Sequence, residues 1–113
     1  MEERLSSFEE FWPYYVAQHT DPANQALHFL GTSLAVAALA AAATLTPWWA
    51  LAAPFAGYGP AWVGHYAFEK NKPASFRHPL WSLRGDLRMY ALLWRGRMEP
   101  ELARSRELYP RGA

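Results

Sequence analysis

From position 22 to position 68 the chain carries no Asp, Glu, Lys or Arg, an uncharged run of 47 residues. Every one of the 21 acidic and basic side chains falls in the other 66 positions of this 113-residue protein. A soluble helical domain puts a polar stripe on each exposed helix face, so a run this long without charge points to lipid. One crossing of the hydrocarbon core takes about 20 helical residues. The run therefore suits two crossings folded back on each other through a tight turn. Glu2, Glu3, Glu9 and Glu10 against Arg4 at the start of the chain are the opposite of the basic start of a secretory signal.

Composition removes several classes of function. There is no cysteine, which excludes disulfides, thiolate metal sites, iron–sulfur clusters and a cysteine nucleophile. The formal net charge of +1 gives no footprint for nucleic acid. No Gly-rich phosphate loop is present, so a nucleotide cofactor is not expected. The Ala-rich run 35–43 suits a lipid-facing or tightly packed helix. Nine arginines, two lysines and the Ala-rich hairpin favour a bacterial source. No feature sets an oligomeric state.

Start and stop signals divide the chain into helices. Ser6 or Ser7 with Glu9 and Glu10 three residues on has capping-box spacing, and predicts a first helix over 6–18. Phe8, Phe11, Trp12, Tyr15 and Val16 share one face of it, so it is amphipathic and expected to lie along a membrane surface. Asp21-Pro22 and Thr46-Pro47 each pair an N-cap oxygen with a proline whose missing N–H costs nothing in the first turn. They open predicted spanning helices over 22–45 and 47–69, the second bent by Pro54, Gly57, Gly59 and Pro60. Pro79 opens an amphipathic fourth helix over 79–97, whose Arg84, Asp86 and Arg88 favour a place at the interface, packed on the hairpin, with a crossing as the alternative. A tail helix covers 99–108. The expectation is a single all-α domain over 1–113, an integral membrane bundle built on a transmembrane hairpin.

The turn at 46–47 has no basic residue, whereas Lys70, Lys72, Arg77 and Arg84 crowd the opposite end. The positive-inside rule then puts both termini in the cytoplasm. The host membrane would be the inner membrane of a bacterium, or the endoplasmic reticulum in a eukaryote. Trp48 and Trp49 fall at the far interface and Trp12, Tyr14 and Tyr15 at the near one, as aromatic belts do.

The only histidines are His19, His28, His65 and His78. His28 stands 18 residues before Thr46 and His65 stands 18 after Pro47. Antiparallel helices rise equally per residue, so these two side chains share one depth. His19 and His78 precede helices at the same end, and all four can converge. Ionisable residues inside a membrane are expensive and usually functional, and several neutral imidazoles suit a ferrous or zinc ion. The bland alternative is that each is a satisfied core residue or an interfacial anchor. Glu69, four residues after His65, can be a ligand, an acceptor that orients His65, or an exposed helix-end carboxylate. His19-Thr20-Asp21 imitates the H-x-D of an iron site, but Asp21 before Pro22 is a better N-cap.

The segments HTDPANQALHFLGT (19–32), GYGPAWVGHYAFEKNKPASF (57–76) and HPLWSLRGDLRMY (78–90) resemble a membrane family of 2-hydroxy-fatty-acid dioxygenases. That family includes a fungal endoplasmic-reticulum enzyme that turns phytosphingosine-derived 2-hydroxy fatty acids into odd-numbered ones. The resemblance covers most of the chain from Phe8 to Arg97. It implies an iron(II)-dependent dioxygenase of fatty-acid alpha-oxidation, acting on a long-chain 2-hydroxy fatty acid and O2. The family's motif histidines fall on His19, His28 and His65 as metal ligands, with His78 and Glu69 as further candidates. His19, His28, His65 and Glu69 would be the catalytic set. Its Asn and Glu-Lys positions fall on Asn24, Glu69 and Lys70. The chain departs from the family at Asp21, where a neutral residue is usual, which again favours capping.

The implied chemistry balances without a cosubstrate: a 2-hydroxy acid plus O2 gives the acid one carbon shorter, CO2 and water. The substrate would chelate the iron through its carboxylate and 2-hydroxyl, with its chain in the hairpin. Asn24, Lys70, Lys72 and Arg77 are the candidates to hold its carboxylate. Two other classes stay open: a haem protein ligated by His28 and His65, and a non-catalytic lipid-binding protein. Four histidines cannot fill the histidine boxes of diiron desaturase-type enzymes.

Overall fold

Asp21 and Pro22 begin a long helix for the reasons their chemistry suggests. Asp21 has extended backbone (φ −76°, ψ 125°), and its carboxylate accepts the N–H of Ala23 at 2.8 Å. The computed structural model describes residues 5–110, so Glu2, Glu3 and Arg4 lie outside the described residues. Within them every element is helical: α1 (Phe8–Ala17), α2 (Pro22–Thr44), α3 (Ala52–Val63), α4 (Pro79–Arg95) and α5 (Met98–Leu108). Short 3-10 segments at Pro47–Leu51 and Ala74–Phe76 and a π-helical segment at Gly64–Glu69 complete the set. Among the described residues two compact units result, one of residues 21–73 and one of residues 5–20 with 74–110.

The first of these units is a helical hairpin. Asn24, His28, Gly31 and Ala38 form the buried stripe of α2, at the three- and four-residue spacing of one helix face. The stripe is small because α3 comes very close. A Cβ built on Gly31 would lie 2.5 Å from the Gly57 carbonyl oxygen, and one built on Gly64 2.1 Å from Asn24 Oδ1. The outer faces stay apolar and exposed, with Leu30, Leu34, Val36 and Leu39 on α2 and Phe55 and Trp62 on α3. The second expected crossing is one helical path from Pro47 to Glu69, but it divides into 3-10, α and π portions. Pro54 sits harmlessly in the first turn of α3, and Pro60 removes an interior donor. Among the described residues, α2 is therefore the one helix long and apolar enough to cross a membrane.

The other unit corrects two expectations. Ser7 caps α1 by accepting the Glu10 N–H at 3.2 Å, and the Glu10 carboxylate reaches back to the Ser6 N–H at 2.9 Å, a capping box shifted so that the carboxylate takes the N–H one residue before the cap. The aromatic face that follows is not laid on a surface. Phe8, Phe11, Trp12, Tyr15 and Val16 are buried with Met89 of α4 and Met98 and Leu102 of α5. Trp12 and Tyr15 are thus core residues, not members of an interfacial belt. Periodicity shows that a face is apolar; it does not show what covers it.

The charges of α4 explain that covering. The Arg84 guanidinium lies 4.1 Å from the Phe8 ring centroid and that of Arg88 4.6 Å from Trp12, cation–π contacts that dock α4 on α1. Tyr15 donates its hydroxyl to Asp86 in a very short hydrogen bond. Burial and the Asp86 charge push the Tyr15 phenol well above its usual range. Gly96, with φ 66°, then ends α4 in the left-handed conformation that glycine adopts without strain.

Two expected outcomes follow from these contacts. Gly31→Ala should destabilise the purified protein by about 1–3 kcal/mol, because backbone rather than a flexible side chain blocks the new methyl. Gly59→Ala, whose Cβ meets nothing within 4 Å, should be neutral or stabilising by up to about 1 kcal/mol; equal thermal melts for the two variants would refute the close approach. Burial raises the Asp86 carboxyl from 3.8 to about 6, with the Tyr15 hydrogen bond opposing it. The folded protein then holds this proton more tightly than the unfolded chain, so this group's contribution turns unfavourable as pH rises from about 4 to about 6. Asp86→Asn should gain stability relative to wild type across that window, and parallel melting curves from pH 4 to 6 would contradict the assignment.

Candidate metal centre

His28 lies one helical turn after Asn24 on the buried stripe of α2, and its Nδ1 is 3.0 Å from the Asn24 carbonyl oxygen. A carbonyl can only accept, so Nδ1 carries the proton and the lone pair sits on Nε2. His65 reaches the same level from the other arm of the hairpin, with the two ring centroids 4.9 Å apart and the planes at 84°. The equal counts from the turn at Thr46–Pro47 thus meet as expected.

His65 owes its orientation to an unusual piece of backbone. From Gly64 to Glu69 the helix widens to π geometry, and the N–H of Lys70 bonds five residues back to the His65 carbonyl. Lys70 turns left-handed (φ 63°, ψ 40°), a conformation that costs a non-glycine residue roughly 1–2 kcal/mol. This reversal brings Asn71 back over the last turn. Its Oδ1 lies 2.6 Å from His65 Nδ1, so this imidazole too is protonated on Nδ1. π turns and strained residues of this kind cluster at functional sites.

His19 follows the end of α1, where its N–H bonds to the Val16 carbonyl at 2.9 Å. Its Nδ1 is 2.6 Å from the Tyr15 carbonyl oxygen, which sets the same tautomer a third time. His19, His28 and His65 form a buried group in which one nitrogen of each lies within 4.8 Å of the others. Two metal–imidazole bonds of about 2.0–2.1 Å span up to roughly 4 Å, so the group could hold a metal ion after closing by a few tenths of an ångström. Three neutral imidazoles, each with its proton engaged by an oxygen, are the donor set that borderline divalent metals take.

The other candidates lie elsewhere. His78 is not in the three-histidine group; its ring packs against Phe11 (5.3 Å) and Trp81 (5.2 Å). Glu69 is not in it either: Oε1 accepts the Asp21 N–H at 2.9 Å and the Asn24 amide at 3.0 Å. The four-residue relation to His65 presumes an α-helix, and the wider π turn replaces it. Asn24 is fully buried, with its side-chain amide on Glu69 and its backbone on His28. Lys70, Lys72 and Arg77 are exposed. Asp21 caps α2. Asn71 carries no signal in the sequence, and Tyr15 stands out there only for its apolar face and the aromatic belt, not for the site. Asn71 sits six residues beyond its partner, a spacing that no helix or strand rule connects. Tyr15 contributes an acceptor that every residue type carries.

Residues 5–98 match the family described as 2-hydroxy-palmitic acid dioxygenase Mpo1-like. No curated protein and no solved structure matches the chain.

If Asn71 orients His65 and Glu69 ties the hairpin together, the two substitutions should separate. Asn71→Ala should weaken binding of a divalent metal about 10–100-fold. Glu69→Gln should mainly lower the melting temperature. The reverse order in a competition titration with a chromophoric chelator would overturn this division.

Proposed function

The chain belongs to the Mpo1-like family of 2-hydroxy-palmitic acid dioxygenases, and we propose that it holds iron(II) on His19, His28 and His65 and shortens long-chain 2-hydroxy fatty acids by one carbon. The observation that carries this reading is the common state of the three buried imidazoles: each gives its Nδ1 proton to an oxygen acceptor and presents Nε2. Bound iron(II) would supply the redox chemistry that joins O2 to the substrate. The reaction balances as 2-hydroxy acid plus O2 to the shortened acid, CO2 and water, with no cosubstrate.

The residues around the group divide the remaining work. Asn71 and the carbonyls of Tyr15 and Asn24 keep the three imidazoles in one tautomer. Burial of all three histidines keeps water from competing with the reactants. The exposed cations Lys70 and Lys72, with Arg77, would hold the substrate carboxylate. Glu69 and Asn24 would keep the ends of the hairpin registered, so that His28 and His65 stay paired. The close, edge-to-face packing of His28 and His65 within a three-imidazole group argues against haem. A macrocycle needs two imidazoles opposed across its plane.

The same reading places the hairpin in a bilayer, with the Lys70 end at the cytoplasmic face. Only 17% of the most apolar 18-residue window of α2 is buried, whereas the core helix of a soluble protein would be mostly buried. Exposed Trp48 and Trp49 near the uncharged turn suit the opposite interface. The acyl chain would reach the site from the lipid.

Purified protein loaded anaerobically with Fe(II) should retain about one equivalent of iron and consume O2 only when a long-chain 2-hydroxy acid is added. O2 and CO2 should appear in a one-to-one ratio, and His28→Ala and His65→Ala should each abolish both iron retention and turnover. Wild-type iron content in His65→Ala, or O2 uptake with no shortened acid formed, would overturn the proposal.

A further inference from the structure

Of the three histidines, His19 has the least help from secondary structure. His28 lies within α2 and His65 within the π turn, but His19 follows the C-cap residue of α1, Gln18. An imidazole there has two torsions to fix and no continuing helix to fix them. Its side chain is nevertheless fully buried.

Tyr15 meets both faces of that requirement. Its carbonyl oxygen takes the Nδ1 proton at 2.6 Å, which sets the direction of the ring edge. Its phenol ring stacks on the His19 imidazole with centroids 3.9 Å apart and planes at 20°, which sets the ring plane. The phenol is itself immobilised from three sides. Asp86 accepts its hydroxyl, and Trp12 stacks nearly parallel to it at 5.5 Å and 13°. A Cβ on Gly85 would stand only 3.0 Å from its Cδ2. A ring held by its para oxygen, with helix backbone close behind it, cannot turn or retreat. The stacked imidazole then inherits that rigidity.

We propose that Tyr15, locked by Asp86 and Gly85, is the positioning residue for His19, and that α4 thereby helps orient this one imidazole without supplying a ligand itself. This rests on the metal reading above. It assigns α4 a role in the site that its charges alone would not suggest. The carbonyl survives any substitution at position 15, so the side chain's share can be read separately.

Cobalt(II) serves as the probe, because its visible d–d band reports ligand arrangement and needs no turnover. Tyr15→Leu should weaken Co(II) binding about 10–100-fold and shift or broaden the band. Gly85→Ala, which presses the phenol toward the imidazole, should shift the band while leaving a folded protein. Tyr15→Phe, which keeps the ring but loses its anchor, should fall between Tyr15→Leu and wild type. Leu102→Ala removes a core side chain of α5 that belongs to the same cluster, and should lower the melting temperature with the band unchanged. A wild-type band that Tyr15→Phe and Gly85→Ala both leave unaltered overturns this inference alone, even if Tyr15→Leu fails to fold. No Co(II) band in the wild-type protein overturns the metal reading and this inference with it.

Discussion

The hairpin depends on how closely two backbones can approach. Where Gly31 faces the Gly57 carbonyl, and again where Gly64 meets Asn24, a methyl group on Gly31 or Gly64 would have no room between the arms. That contact fixes the helix separation, and the separation decides whether side chains at matched depth meet or only face each other. With larger residues, His28 and His65 would still be level but farther apart. At the observed spacing their rings touch. The same tightness explains why the buried stripe of α2 is so thin and so much of its apolar surface faces outward. A helix that uses glycine and alanine for its interior contact has little bulk left to bury.

The charged helix α4 solves a different problem. In sequence, Arg84, Asp86 and Arg88 mark a helix for the membrane interface. Each is instead matched to an aromatic of α1: Arg84 to Phe8, Arg88 to Trp12 and Asp86 to Tyr15. Aromatic rings accept cations on their faces, and a phenol satisfies a half-buried carboxylate. A core built from Phe, Trp and Tyr can therefore bind a polar helix that a core of Leu and Val would repel.

Much of this was legible in the residues. Asp21-Pro22 is a local signal that begins α2 with the expected side-chain cap, whereas Thr46-Pro47 begins only a 3-10 segment in which the Thr46 side chain makes no cap hydrogen bond. The pairing of His28 with His65 needed only counting from the turn. What stayed hidden depends on geometry that spacing rules assume rather than reveal. Glu69 was placed over His65 by an α-helical interval, and the backbone there is π. Asn71 reaches His65 only because Lys70 turns left-handed, a conformation that lysine does not announce. His78 was grouped by proximity to a helix start, yet an aromatic cluster holds its ring. The aromatic face of α1 was visible as a face, but its partner lay some 70 residues further along, in α4 (Met89 and Arg84, for example).

The acceptors that hold the three imidazoles are not of one kind. His19 and His28 give their protons to peptide carbonyls, whereas His65 gives its proton to a side-chain amide. A carbonyl is present whatever residue occupies the position, so no point substitution at 15 or 24 can delete the acceptor itself. The third depends on a single codon. Genetic change therefore reaches the three-histidine group through position 71 more directly than through its counterparts. A carboxylate there would make His65 a more electron-rich donor, and a residue without an acceptor would release its tautomer. Two acceptors are buffered against sequence drift and the third is adjustable, so a single residue sets the donor character of one imidazole in the group while the fold stays the same.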